Sequence, residues 1–319
     1  MLLNEINLFS YLNKLKCFEK YPNVAVGVSG GPDSIALVYL INKWIKLKRG
    51  NLSALIFDHR IRNNSEKESF KVREMLKNLN VNAAILKTKK NKLIKKNMAQ
   101  ARSNRFDGLI TFCKNNNILH LFLGHHLDDN IETYLIRKIN GSNFEGLASM
   151  EEISYFNKIQ IIRPFIKLNK SSILTFNKKK KLFYLNDPSN KDVNYTRVKV
   201  RNFLQNNKYK KLIKYDFLNL KKEIPLYRNM VWNCFINTLT DVKHKSIKIN
   251  RNKLLKFDDL IIEKIVLLSL KFFSDKKYKA RSVKINLFIA EMKKSSFKIF
   301  NLSGVYIKKS GEFLIFFQK

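Results

Sequence analysis

Short apolar runs alternate with longer amphipathic stretches along the first half of the chain. Residues 24–28, 52–57, 81–86, 118–123 and 159–162 are rich in aliphatic and β-branched side chains at strand length, and the intervals between them carry helical spacing. This rhythm predicts an α/β fold, an open and mostly parallel sheet flanked by helices. The opening segment, Met1 to Leu8, mixes polar residues into its apolar ones and predicts an amphipathic helix rather than a signal peptide. The pattern changes near Leu212. Residues 213–295 read mainly as helices, and candidate strands follow at 297–300, 305–307 and 313–317, with Ser310-Gly311 as a turn between the last two. Two domains are therefore expected, 1–212 and a smaller 213–319, the second mainly helical with a short β tail.

The junction after the first apolar run carries the strongest chemical signal. Ser29-Gly30-Gly31-Pro32-Asp33-Ser34 lies between a predicted strand and a predicted helix beginning near Ile35. Two glycines let backbone amides converge, and the positive end of the following helix points at the same place, so the segment forms a phosphate cradle. Its spacing is neither that of a loop ending in Gly-Lys-Ser/Thr nor that of a dinucleotide fingerprint. Ligands of open α/β sheets bind beyond the carboxyl ends of the strands. Asp58-His59 follows the second run there, and Gly124-His125-His126 follows the fourth.

Composition narrows the partners. Of 319 residues, 62 are Lys or Arg and 25 are Asp or Glu, a formal net charge of +37. A field of that sign attracts polyanions, nucleic acid foremost. The run at 178–181 is the densest basic stretch and reads as a solvated surface or a phosphate-backbone contact. Cys17, Cys113 and Cys234 are odd in number and far apart, which argues against a disulfide framework or a local Cys-x-x-Cys site and points to a reducing, cytoplasmic setting. No run of about 18 apolar residues is present, so no membrane span is expected.

The second constellation is Gly124-His125-His126-Leu127-Asp128-Asp129-Asn130-Ile131-Glu132-Thr133. With Asp128 as the expected cap, Asp129 and Glu132 share one face of a helix whose mouth holds the histidines. Such a cluster can hold Mg²⁺ against phosphate oxygens, bind a cationic amine, or accept its proton.

These two segments, with Asp58-His59-Arg60-Ile61-Arg62, Ser65, Glu68, Ala101-Arg102-Ser103-Asn104-Arg105-Phe106, residues 141–147, Arg163-Pro164-Phe165, Asp187-Pro188-Ser189-Asn190 and Tyr195-Thr196-Arg197-Val198-Lys199-Val200-Arg201, occur in the order seen in one family. Over roughly its first two thirds the chain resembles the tRNA(Ile)-lysidine synthetases, within the N-type ATP pyrophosphatase or PP-loop group. It departs from the family at Arg60, where glycine is general, and at Asn140, where a basic residue is common. The resemblance implies ATP-dependent adenylation of C2 of the wobble cytidine in the CAU anticodon of tRNA(Ile). Attack by the side-chain amine of free lysine would follow, with AMP and pyrophosphate as by-products.

The expected roles follow from the resemblance and the residue chemistry together. Ser29, Gly30, Gly31, Pro32, Asp33 and Ser34 would bind ATP, with Asp33 and Asp129 as candidate Mg²⁺ ligands. Asp33, His125, Asp129, Glu132 and Arg197 would form the catalytic set, and Arg201 would contact tRNA. Two other readings are a PP-loop tRNA thiolase, which lacks the expected paired cysteines, and a catalytically inactive basic RNA-binding protein, which would need neither Asp129 nor Glu132. In either enzyme reading Cys113 sits in an apolar helical context and is expected to be packed.

Overall fold

The computed structural model describes residues 3–58, 60, 65–87, 98–185, 195–205, 207–273 and 282–318. The chain divides into two compact units, the first ending at Leu218 and the second beginning at Asn219. That division falls inside one continuous helix, so no compositional break marks it.

In the first unit the strands are β1 (Asn23–Val28), β2 (Asn51–Asp58), β3 (Ala83–Lys87), β4 (His120–Leu123), β5 (Ile153–Phe156) and β6 (Ile159–Ile162). They form one sheet in the order β3-β2-β1-β4-β6-β5, parallel throughout except for the antiparallel β5–β6 hairpin. The helices that position the site are α1 (Glu5–Lys14), α2 (Pro32–Lys48), α3 (Ser65–Asn78), α4 (Met98–Asn115), α5 (Leu127–Ile139), α6 (Phe144–Leu147), α7 (Lys170–Lys179), α8 (Thr196–Gln205) and α9 (Asn207–Thr238).

Strand alternation separates two cores. Val24, Val26, Val28, Ala54, Ile56, Phe122 and Ile162 pack with α1, α2, α3 and α7 on one face of the sheet. Ala25, Leu55, Leu121, Leu123 and Ile161 pack with α4, through Leu109, Ile110 and Cys113, on the other. A sheet covered on both faces requires strands that are apolar at nearly every position, which is why these runs were legible as strands. Sequence direction reverses between β1 and β4, and at such a switch point the loops leaving the two strands part and open a crevice.

The second unit holds a five-stranded antiparallel sheet, β7 (Leu239–Lys243), β8 (Ser246–Asn250), β9 (Ile299–Leu302), β10 (Val305–Ser310) and β11 (Phe313–Phe317), in the order β7-β8-β11-β10-β9. Helices α10 (Arg251–Leu254), α11 (Asp259–Phe272) and α12 (Ser282–Lys293) accompany it, and Ile262, Val266, Phe288, Ile307, Leu314 and Phe316 lie in its core. The β7–β8 hairpin lies within residues that the sequence pattern assigned to helices, so the strands of this unit are more than a tail. Of the described helices, none is long and apolar enough to cross a membrane.

Candidate active site

The turn after β1 is shaped by glycine geometry and hydroxyl bonding. Gly30 has φ +81°, a conformation that side chains disfavour, and a Cβ there would stand 2.4 Å from Val72 Cγ2. Its carbonyl accepts a hydrogen bond from the Leu185 amide at 2.9 Å. Ser34 Oγ donates to the Gly31 carbonyl at 2.9 Å and accepts from the Ser29 amide at 3.2 Å, while the two serine hydroxyls lie 3.3 Å apart. Gly31 is the N-cap of α2 and Pro32 is its first helical residue, so the first turn has no side-chain cap and presents its amides outward. The six predicted phosphate-binding residues are thus gathered at one helix N-terminus.

The turn after β4 closes against this helix. A Cβ on Gly124 would lie 3.1 Å from the Asp33 carbonyl group, so glycine permits the close approach of the two loops. The cap of α5 is His126 rather than Asp128: its Nδ1 accepts from the Asp129 amide at 3.3 Å, and Asp129 Oδ2 accepts from the His126 amide at 3.2 Å. Asp128 is engaged elsewhere, its Oδ2 accepting from the Lys170 amide at 2.7 Å. Lys170 then extends its ammonium to both oxygens of Asp33, at 2.7 and 2.5 Å, so one residue ties the starts of α2, α5 and α7 together.

Glu132 is 4% exposed at its side chain and lies between two guanidinium groups. Arg197 Nε donates to its Oε2 and Arg201 Nε to its Oε1, each at 2.8 Å. Arg197 also reaches the Asp129 backbone carbonyl at 3.1 Å and stands 3.6 Å from Asp129 Oδ1. Charge-assisted hydrogen bonds of this length are strong, and both Glu132 oxygens are committed to them. Asp129 is the more accessible carboxylate, at 17% side-chain exposure.

His125 faces a different environment. Its Nδ1 is buried and has no hydrogen-bond partner among the described residues. Burial first, and then the charges of Arg163, Arg105, Arg102 and Arg197, hold its pKa well below the usual imidazole value, so the ring is neutral near pH 7. The guanidinium groups feel the same crowding. Desolvation and Arg102 draw Arg163 down to about 10, and desolvation with neighbouring arginines lowers Arg102 and Arg105. The charges of these four arginines make this side of the site positive, which favours anionic oxygen.

The structure therefore brings Ser29 to Ser34, His125, Asp129, Glu132, Arg197 and Arg201 to the carboxyl ends of β1 and β4. Lys170, Arg102, Arg105 and Arg163 join them without having been singled out for a role. Lys170 gave no contrast among 62 basic residues, whereas the three arginines lie in segments the resemblance had marked. Asp58 ends β2, is buried, and accepts from the Arg60 amide at 2.8 Å; Arg60 holds φ +52°, a conformation suited to the glycine general at this position in the family. His59, Ile61, Arg62 and residues 187–190 lie outside the described residues. Cys113 is fully buried, and burial pushes its thiol up to about 12.

Mg²⁺ finds no ready protein cage. Among the described residues no group of three or more His, Cys, Asp or Glu side chains is arranged to hold a metal ion. Asp33 is given to Lys170, and Asp129 to His126 and Arg197. These carboxylates do not fit the expectation of metal ligands.

Residues 5–208 match the PP-loop domain family. The tRNA(Ile)-lysidine synthase of Wolbachia pipientis wMel is 33% identical over 299 residues, covering 91% of this chain and 69% of that protein. Its counterpart from the Wolbachia of Brugia malayi is 32% identical, covering 93% and 71%, and that of Orientia tsutsugamushi is 33% identical over 201 residues, covering 63% and 45%. Among solved structures, the U34-tRNA thiolase NcsA of Methanococcus maripaludis, with its [4Fe-4S] cluster, aligns at a TM-score of 0.56 and 20% identity, over 69% of this chain and 78% of that one, a likeness of fold alone.

Proposed function

Because the chain belongs to the tRNA(Ile)-lysidine synthase family of PP-loop proteins, we propose that it adenylates the wobble cytidine of a CAU-anticodon tRNA(Ile) and then joins free lysine to it. The first step forms a bond between cytidine O2 and the α-phosphorus of ATP and releases pyrophosphate. In the second, the lysine side-chain nitrogen bonds to C2 as the C–O bond breaks and AMP leaves.

The single observation carrying this reading is the meeting of an uncapped helix N-terminus with a partly accessible carboxylate at one sheet switch point. The amides of the 29–34 turn and the first turn of α2 bind triphosphate oxygens. Arg197 and the arginines around His125 supply fixed positive charge where pyrophosphate and AMP develop negative charge as they leave. His125, being neutral, adds a donor or acceptor without adding charge. Lysine arrives as an ammonium ion and cannot attack in that state. Asp129 serves as its counter-ion and takes its proton as the C–N bond forms. Glu132, with both oxygens occupied, is a positioning residue that fixes the direction of Arg197 and Arg201. No step is routed through Mg²⁺. Sulfur delivery is not favoured by the cysteines, Cys113 least of all.

Purified protein incubated with ATP, lysine and a CAU-anticodon tRNA(Ile) transcript should convert one cytidine to its lysine adduct, read by nucleoside mass analysis. Asp129→Asn should retain tRNA binding while slowing conversion by about a hundredfold or more. Conversion at the native rate would remove Asp129 from the chemistry.

A further inference from the structure

Two aromatic side chains beside the site are left in water, whereas another pair nearby is buried. Tyr134 and Phe217 pair in the interior with ring centroids 5.4 Å apart, and both are nearly inaccessible. Phe203 on α8 and Tyr209 on α9 also lie 5.4 Å apart, in a stacked arrangement with 19° between their planes, yet they are 48% and 45% exposed. Leu212 and Tyr215 extend the exposed apolar surface along α9.

The surroundings select the partner. From Thr196 to Tyr215 the sequence contains seven Lys or Arg residues and no Asp or Glu. Lys199, Lys208, Lys210 and Lys211 are exposed. An apolar surface meant for another protein or for the interior would not be set in unbroken positive charge, whereas stacked rings among cations match single-stranded nucleic acid, whose bases stack and whose phosphates seek lysine.

The pair is also tied to the chemistry. Phe203 is two residues from Arg201, which grips Glu132. Tyr209 precedes Lys210, whose Nζ lies 3.9 Å from Asp128 Oδ1 at the mouth of α5. Both rings therefore stand on segments anchored to the start of the catalytic helix.

We propose that Phe203 and Tyr209 form a stacking platform for unpaired anticodon-loop bases next to the reacting cytidine, with Lys208, Lys210 and Lys211 holding the adjoining phosphates. This rests on the tRNA reading above and adds where the loop is held. A reacting base must leave its own stack to enter a pocket, and a protein ring that takes over its neighbours compensates the stacking lost.

The test uses the full chain and two RNA probes of equal length, an anticodon stem-loop with the CAU loop and a blunt duplex without unpaired bases. Tyr209→Ala and Phe203→Ala should each weaken stem-loop binding by between about 5-fold and 100-fold while changing duplex binding less than about twofold. Tyr209→Phe, which keeps the ring, should bind like the native protein, and a native melting temperature for each variant establishes that it is folded. Should the alanine variants be misfolded, quenching of 2-aminopurine placed in the loop decides the matter on native protein and Tyr209→Leu: quenching by the first and not the second supports the platform, and equal emission overturns it. Equal loss on both probes, or none, also overturns it. If the native protein modifies tRNA while the ring variants bind the stem-loop normally, only the platform falls. Failure of the native protein to modify tRNA at all would instead remove the functional reading.

Discussion

Residue by residue, the site is organised by which charge holds which. Glu132 is bound on both oxygens and orients two arginines, Asp33 is bound by Lys170, and Asp129, which accepts from the His126 amide and stands 3.6 Å from Arg197, keeps its side chain 17% exposed. His125 sits on the cationic side of this arrangement and resists protonation. The unfolded chain takes up that proton near the ordinary imidazole value of 6.5, whereas the folded chain does not until well below it. Stability from His125 is therefore present above about pH 6.5 and declines as the pH falls toward the folded value. The urea midpoint should be lower at roughly pH 5.5 than at roughly pH 7.5, and His125→Gln should narrow that gap. An unchanged gap in the variant would show that His125 is not the group responsible.

At the scale of elements, the loop after β1 is held in place from behind. Gly30 and Gly141 both have positive φ, +81° and +64°, but only Gly30 has a neighbour where a side chain would go. Gly30→Ala should destabilise the protein by at least about 1 kcal/mol more than Gly141→Ala, measured by urea unfolding, because Val72 is a stiff β-branched side chain with little room to retreat. Equal losses would mean that the turn moves freely away from α3. The parallel strands were legible because two cores make them apolar on both faces. Others were hidden for stated reasons. β7, Leu-Thr-Asp-Val-Lys, is mostly exposed and has no apolar alternation to read, and β5 is half-exposed next to a two-residue Asn-Lys turn. The helix cap was misplaced because Asp outranks His as an N-cap in general. Here the Lys170 amide takes Asp128 away, a contact between residues 42 apart that local spacing cannot disclose. The carboxylates and glycines of the site were visible in advance, whereas their pairing with Lys170, Arg197 and Arg201 needed the fold.

Across the whole molecule, a net charge of +37 supplies attraction for RNA but no chemistry of its own. The proposed chemistry belongs to the crevice between β1 and β4, where the glycine turn meets Asp129. A kinase-like use of the same cradle would break the bond between the β and γ phosphorus atoms, while activation of a base oxygen by adenylation breaks the one between α and β. The direct measurement is product analysis with ATP labelled at the α and γ positions, in the presence of CAU-anticodon tRNA(Ile) and lysine. AMP and pyrophosphate in equal amounts, matched to cytidine converted, are the predicted result. ADP and orthophosphate accompanying turnover would contradict it.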